Sequence, residues 1–211
     1  MKIQVLLDNP DSWMVDYAKQ LDDILKKKFD IKVNLIFKHE EVVKGDILCL
    51  LSCEKVFNKL NLNTYNLVVH ESYLPKGKGW SPLTWQVLEG SSEIPITLFE
   101  AAEKIDSGII YKQDFIKLKG DELLPEIKHK QGVKTIELIV DFIENIDEVN
   151  GRDQVGEETF YHKRGPKDSE LDINKSIIEQ FNLLRVCDNE RYPAFFTLKG
   201  KKYIIKTYKD E

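Results

Sequence analysis

The chain has 211 residues, 42% of them apolar and 32% charged, with a formal net charge of −5. That size and balance describe a globular chain with one well-buried domain and room for a small appendage, and exclude a disordered one. No apolar run approaches the roughly 18–20 residues of a membrane span, the start "MKIQVLLDN" has no secretory-signal pattern, and the acidic balance gives nucleic acid no overall attraction.

Taken in chain order, Lys2–Leu7 alternates like a first strand and ends in the turn "DNPDS". Asp11 or Ser12 caps a helix predicted from Trp13 to about Lys28, with Val15, Tyr17, Ala18, Leu21 and Leu25 at helical spacing. "IKVNLIF" is a second strand, and "DILCLLS" is an unbroken apolar run that suits a strand buried on both faces. The odd trio Cys49, Cys53 and Cys187 lacks paired metal spacing. The first two lie in or beside this run and read as small buried hydrophobes, with no disulfide or zinc site expected and a reducing cytoplasm as the expected compartment. A short helix, Glu54–Leu60, is predicted before "YNLVVH", another buried strand.

The stretch "ESYLPKGKGWSP" then turns through Pro75, Gly77 and Gly79, and "SPLTWQVLEG" forms a helix with Pro82 near its start and Gly90 past its end. Two strands, "IPITLFEA" and "GIIYKQDFIKL", flank the turn "AEKIDS", and a long helix follows from about Leu123 to Asn145. Residues 146–170 are rich in Gly, Asp, Glu, Lys and Arg and read as a linker. A helix within "NKSIIEQFNLLRV" and a hairpin "AFFTLKGKKYIIKTY", turning at Lys199–Gly200, complete the chain. Strands alternating with helices predict an α/β fold with an open, mostly parallel sheet. The expected division is residues 1–146 and residues 147–211.

The turn after the first strand, Asp8-Asn9-Pro10-Asp11-Ser12-Trp13, has no glycine, and no Walker loop is present. NAD, FAD and ATP by those routes are therefore not expected. His70 is the leading catalytic candidate, because it ends a buried strand where α/β sheets open onto ligands and a glycine-rich loop follows it. Asp106, in "KIDSGI", is on its own good turn chemistry. If its turn folds over the same crevice, Asp106 orients and charge-stabilises His70 or takes a proton itself.

With no cysteine nucleophile or metal set, such a pair suits proton removal from an incoming amine.

The stretch from Val68 to Ile110 resembles the folate-dependent formyltransferases, whose pattern is Asn-x-His-x-Ser-Leu-Leu-Pro-x-x-x-Gly, a helix ending in Gly, a Gly-Val-Thr-like strand and Asp-x-Gly. His70, Ser72, Leu74, Pro75, Gly79, Gly90, Thr97, Asp106 and Gly108 occupy matching places. The segment "KRGPKDSELDINKSIIEQFNLLRVCDNERYPAFFTLKGKKYIIK" is similar to the part that follows the catalytic domain in the nucleotide-sugar N-formyltransferases.

The resemblance implies a Rossmann-like formyltransferase core with a mostly parallel sheet and a small C-terminal helix–hairpin extension. It implies transfer of a formyl group from N10-formyltetrahydrofolate to the 4-amino group of a nucleotide-linked amino-dideoxy sugar. A UDP-linked pseudaminic acid precursor is favoured, and dTDP-4-amino-4,6-dideoxyglucose comes next. No nucleic acid or membrane partner is expected. The apolar hairpin either packs on its own domain or pairs with a second subunit, with a homodimer favoured.

By the same resemblance His70 and Asp106 accept the ammonium proton. The folate meets backbone groups at Cys53, Lys55, Val56, Ala102, Glu103 and Lys104. The sugar nucleotide meets Asn9, Ser12, Trp13, Glu71, Tyr73, Lys76, Lys78 and Trp80, with Lys76 and Lys78 at its diphosphate as point charges and Trp80 or Tyr73 stacked on its base or sugar.

One departure stands out. The family asparagine two residues before the histidine is Val68 here, which donates nothing to an oxyanion. Protonated His70, Ser72 or a backbone amide replaces it, or the enzyme is slow, or the chain is a non-catalytic binder. Formylation of methionyl-tRNA or of glycinamide ribonucleotide is the alternative within the superfamily. The acidic charge and the missing glycine-rich first turn rank both lower.

Overall fold

The computed structural model describes residues 1–210. Strands β1 (Ile3–Leu6), β2 (Val33–Ile36), β3 (Gly45–Leu50) and β4 (Asn63–His70) run parallel. After β5 (Lys78–Gly79), strands β6 (Glu93–Glu100) and β7 (Ile110–Lys117) add to the main sheet antiparallel, in the order β2-β1-β3-β4-β6-β7. The loop 101–109 joins β6 and β7 as a hairpin, so these two are antiparallel to each other, while each parallel step of the sheet needs a crossover.

Side-chain alternation distributes the apolar runs to two faces. Ile3, Val5, Ile47, Cys49 and Leu67 enter one core; Leu6, Leu48 and Leu50 enter another on the opposite side. Being buried on both faces is what makes "DILCLLS" a continuous apolar run. Helix α1 (Val15–Phe29) buries Ala18, Leu21 and Leu25 against the first core, and its three terminal lysines complement the helix dipole. Helix α2 (Pro82–Leu88) adds Leu83 and Val87 to that core, and α3 (Leu124–Glu144) adds Ile127, Ile139 and Phe142.

The predicted helix Glu54–Leu60 does not form. Residues 51–59 are irregular, with Ser52 in the left-handed region at φ 53°. The Asp8 carboxylate captures the Glu54 amide at 2.9 Å and the Lys55 amide at 2.8 Å, and so holds the chain open as a loop.

Residues 152–162 fold back on the first 120. The pair β8 (Phe160–Tyr161) lies parallel to β5. Beyond it come α4 (Phe181–Val186) and a separate antiparallel pair, β9 (Ala194–Leu198) and β10 (Lys201–Ile205), joined at Lys199 and Gly200, both at positive φ. Buried Arg185 of α4 bonds the Glu122 carbonyl at 2.8 Å and the Glu122 carboxylate at 3.0 Å, which ties this element to the entrance of α3. No helix among the described residues is long and apolar enough to cross a membrane.

Candidate active site

The carboxyl ends of β3 and β4 open onto a cavity of about 730 Å³. This is where ligands bind in open α/β sheets. His70 ends β4 and lines the cavity, only 7% exposed. Its Nε2 lies 2.9 Å from the Gly77 carbonyl oxygen. A carbonyl only accepts, so this contact puts a proton on Nε2.

Asp106 reaches the same place from the loop between β6 and β7, in the left-handed region at φ 52°. Its Oδ2 stands 3.9 Å from His70 Nε2 and accepts the Gly79 amide at 2.9 Å. The two sequence-predicted catalytic residues therefore meet, and the glycine loop connects them. Gly79 has φ 95°, and a Cβ there would lie 2.5 Å from the Tyr161 carbonyl oxygen, so glycine is required. Gly108 is required for a different reason: a Cβ would stand 1.7 Å from the Glu100 carbonyl oxygen.

Glu71 also lines the cavity. Burial pushes its carboxyl above the usual range, and the neighbouring His70 and a 2.7 Å hydrogen bond from Gln131 Nε2 offset only part of that. Gln131 is a residue the sequence reading missed, as are Lys128 and Thr135. All three lie on one stripe of α3 with Leu124 and Ile127, and line the cavity. The available signal was a set of polar residues interrupting an apolar helical stripe. Lys128 stands 5.9 Å over the Trp13 ring and 3.5 Å from Asp188.

Of the other predicted residues, Cys53, Lys55, Val56, Ala102, Trp13 and Trp80 line the cavity. Cys53 is no nucleophile, since burial pushes its thiol up to about 12. Glu103, Lys104, Tyr73 and Lys76 are exposed and outside the lining. Asn9 and Ser12 serve their own turn: Asn9 Oδ1 accepts the Asp11 amide at 2.9 Å and Ser12 Oγ the Met14 amide at 3.3 Å.

Lys78 is fully buried, and its Nζ lies 2.6 Å from Glu158 Oε1. Its charge is thus already paired inside the protein. Val68 lines the cavity two residues before His70 on the same strand face, and Ser72 is buried at 2% exposure outside the lining. Among the described residues, no group of His, Cys, Asp and Glu is arranged to hold a metal ion.

No model of a known protein family matches the sequence. The bifunctional polymyxin resistance protein ArnA of Wigglesworthia glossinidia brevipalpis is 30% identical over 198 residues, covering 90% of this chain but 28% of that protein, so the chain spans under a third of the relative's length. Among solved structures, methionyl-tRNA formyltransferase from Clostridium thermocellum superimposes with a TM-score of 0.82 at 18% identity, covering 100% of this chain and 94% of that one. A sugar N-formyltransferase from a Shewanella species superimposes with a TM-score of 0.74 at 14% identity, covering 100% and 98%. The six-stranded sheet, its crevice and the loops that bring His70 to Asp106 are thus arranged on the formyltransferase fold.

Proposed function

We propose that the chain transfers a formyl group from N10-formyltetrahydrofolate to the 4-amino group of a nucleotide-linked amino sugar, with a UDP-linked pseudaminic acid precursor favoured and dTDP-4-amino-4,6-dideoxyglucose next. The observation that carries the reading is the meeting of His70 and Asp106, 3.9 Å apart, in one cavity of a formyltransferase fold. The solved structures of that fold include proteins named for sugar and for methionyl-tRNA substrates. The net charge of −5 favours the sugar, because a tRNA-binding surface needs excess cations.

The residues present fit a folate. Leu50, Val68, Phe99 and Ala101 form an apolar wall for a flat ring, beside the irregular loop 51–57 whose backbone offers hydrogen bonds. When bound, the folate supplies an electrophilic formyl carbon and a leaving nitrogen, N10, which takes up a proton as its bond to that carbon breaks.

The chain's own groups do the rest. Asp106 Oδ2 is held by the Gly79 amide, while Oδ1 has no hydrogen-bond partner among the described residues and is open to the proton of the incoming ammonium. Losing that proton gives the nitrogen the lone pair that forms the new bond. Protonated His70, beside the Asp106 carboxylate, places positive charge where the formyl oxygen becomes negative. That is the role Val68 leaves vacant. Glu71 and Gln131 face the acceptor sugar. Lys78 is buried and paired with Glu158, so the diphosphate role falls to the partly exposed Lys128 at the Trp13 side of the cavity, whose 3.5 Å contact with Asp188 the diphosphate shares or replaces.

Turnover with N10-formyltetrahydrofolate and a panel of UDP- and dTDP-linked 4-amino sugars, methionyl-tRNA and glycinamide ribonucleotide tests the reading. Formylation of a sugar nucleotide alone is expected. Formylation of the tRNA or the ribonucleotide instead, or of nothing, overturns it.

A further inference from the structure

We infer that residues 152–161 form a brace that fixes His70 relative to Asp106, with Gln154 and Thr159 as positioning residues. This rests on the catalytic assignment above, and it concerns a segment that composition alone presents as a solvated linker.

The brace touches both catalytic loops at the atoms that matter. Gln154 Nε2 donates to the Asp106 carbonyl at 3.0 Å and to the Gly108 carbonyl at 2.9 Å. Turned the other way, the Gln154 amide would face two carbonyl oxygens with a third, so the chemistry fixes its orientation. These bonds secure a turn whose central residue sits at φ 52°, a conformation that a non-glycine residue holds only when its surroundings enforce it.

On the other loop, Thr159 Oγ1 accepts the Gly77 amide at 2.8 Å, and the Thr159 carbonyl accepts the Lys78 amide at 2.9 Å. Gly77 is the residue whose carbonyl receives His70 Nε2 at 2.9 Å. Thr159 therefore acts on the imidazole through one intervening residue.

Two further contacts make the brace a single unit. Glu158 pairs with Lys78 from the His70 loop and with Lys104 from the Asp106 loop, at 2.6 and 2.9 Å. Its carboxyl is held below the usual range by these two ammonium groups. The ends are pinned as well. Arg152 and Ile110 exchange backbone hydrogen bonds at 2.8 and 2.9 Å, and the Tyr161 ring stacks on Trp85 at 6.2 Å and 10°. A fold that spends Gln154, Glu158 and Thr159 on two loops that also meet each other holds the pair at its working separation before substrate arrives.

The test uses Thr159→Val, which keeps the shape and removes the acceptor, with Thr159→Ser, which restores it, and Gln154→Ala for the other loop. Thr159→Val and Gln154→Ala are expected to lower kcat roughly 10- to 100-fold, the cost of misplacing a reacting group by about 1 Å, with KM for both substrates within about twofold and Thr159→Ser near wild type. Nitrogen NMR of the His70 ring reads the brace without any turnover. At a pH high enough to keep the ring neutral, the wild type is expected to show the Nε2–H tautomer, and Thr159→Val a mixture. A Thr159→Val ring still locked as Nε2–H overturns the brace even if formyl transfer is confirmed. An absence of formyl transfer in the wild type overturns the function while the tautomer comparison still decides the brace. Loss of kcat only in proportion to lost folded protein, with no rescue by Thr159→Ser, also counts against it.

Discussion

Asp106 and His70 reach each other from loops of opposite character, one a strained turn and one a glycine-rich approach. Because Asp106 Oδ2 and His70 Nε2 are each held by the glycine loop, replacing either group should remove chemistry more than binding. Asp106→Asn and His70→Asn are each expected to lower kcat by about 100- to 10,000-fold, the range for general acid–base groups, with KM changed little. Steady-state kinetics for both substrates checks this.

Val68→Asn restores an amide at the position two residues before His70. Because His70 fills the oxyanion role in this account, kcat is expected to change little; a rise toward the roughly 100- to 1000-fold that one well-aimed oxyanion donor supplies would show that the role was unfilled. Gly108→Ala places a methyl against the Glu100 carbonyl oxygen and is expected to destabilise the fold by about 1–3 kcal/mol, as other overpacked sites do. Chemical denaturation measures that directly.

The elements divide sharply between those a one-dimensional pattern can specify and those it cannot. Strand β3 was legible because a segment buried on both faces must be apolar throughout, and β4 from the apolar run Leu67–Val69 that precedes His70. Helices α1 and α3 were legible because their buried residues recur every three to four positions. His70 and Asp106 were legible as a strand end and a turn, and the resemblance joined them. The loop at 51–59 was not legible, since local propensity favours a helix there and the competing Asp8 carboxylate lies more than forty residues earlier in the chain. Nor was the brace, because Gln154, Glu158 and Thr159 bond residues 48, 80 and 82 positions earlier in the chain, which leaves no mark on composition. Lys78 was misread for the same reason: its partner, Glu158, is 80 residues away.

If the folate binds along loop 51–57 as proposed, Asp8 belongs to the donor site although it lines no part of the cavity. Asp8→Ala removes the charged acceptor for the Glu54 and Lys55 amides. If about 1.5 kcal/mol is lost, the low end for bonds to a charged group, KM for the folate should rise about tenfold. The amino-sugar KM should be unaffected, which separates a donor-loop effect from general unfolding.

Taken as a whole, the molecule is a sheet whose crevice is roofed by loops and whose C-terminal unit is anchored by Val186 in the first core and by the buried Arg185–Glu122 ion pair. Burial alone would push the Glu122 carboxyl up. The Lys130 ammonium and the Lys119 and Gly120 amides outweigh it and hold the group down at about 2, against the usual 4.5. The folded state thus binds the Glu122 proton less readily than the unfolded chain does. The resulting stabilisation is fully present above about pH 4.5 and is lost as pH falls toward 2. Glu122→Gln should be less stable than the wild type at neutral pH and show a smaller decline between those two pH values; thermal unfolding across that window checks both points. Arg185, left facing a neutral amide, should loosen α4 and the hairpin first.

The reading of the whole chain as a formyl-transfer enzyme is tested most directly by following the formyl group itself. With carbon-13 in the formyl position of N10-formyltetrahydrofolate and a nucleotide-linked 4-amino sugar as acceptor, the label is expected on the sugar nitrogen as a formamide, with one equivalent of tetrahydrofolate released. The double substitution His70→Asn, Asp106→Asn should abolish it. Label that stays on the folate with every amino sugar offered, or that moves equally well in the double variant, would contradict the account.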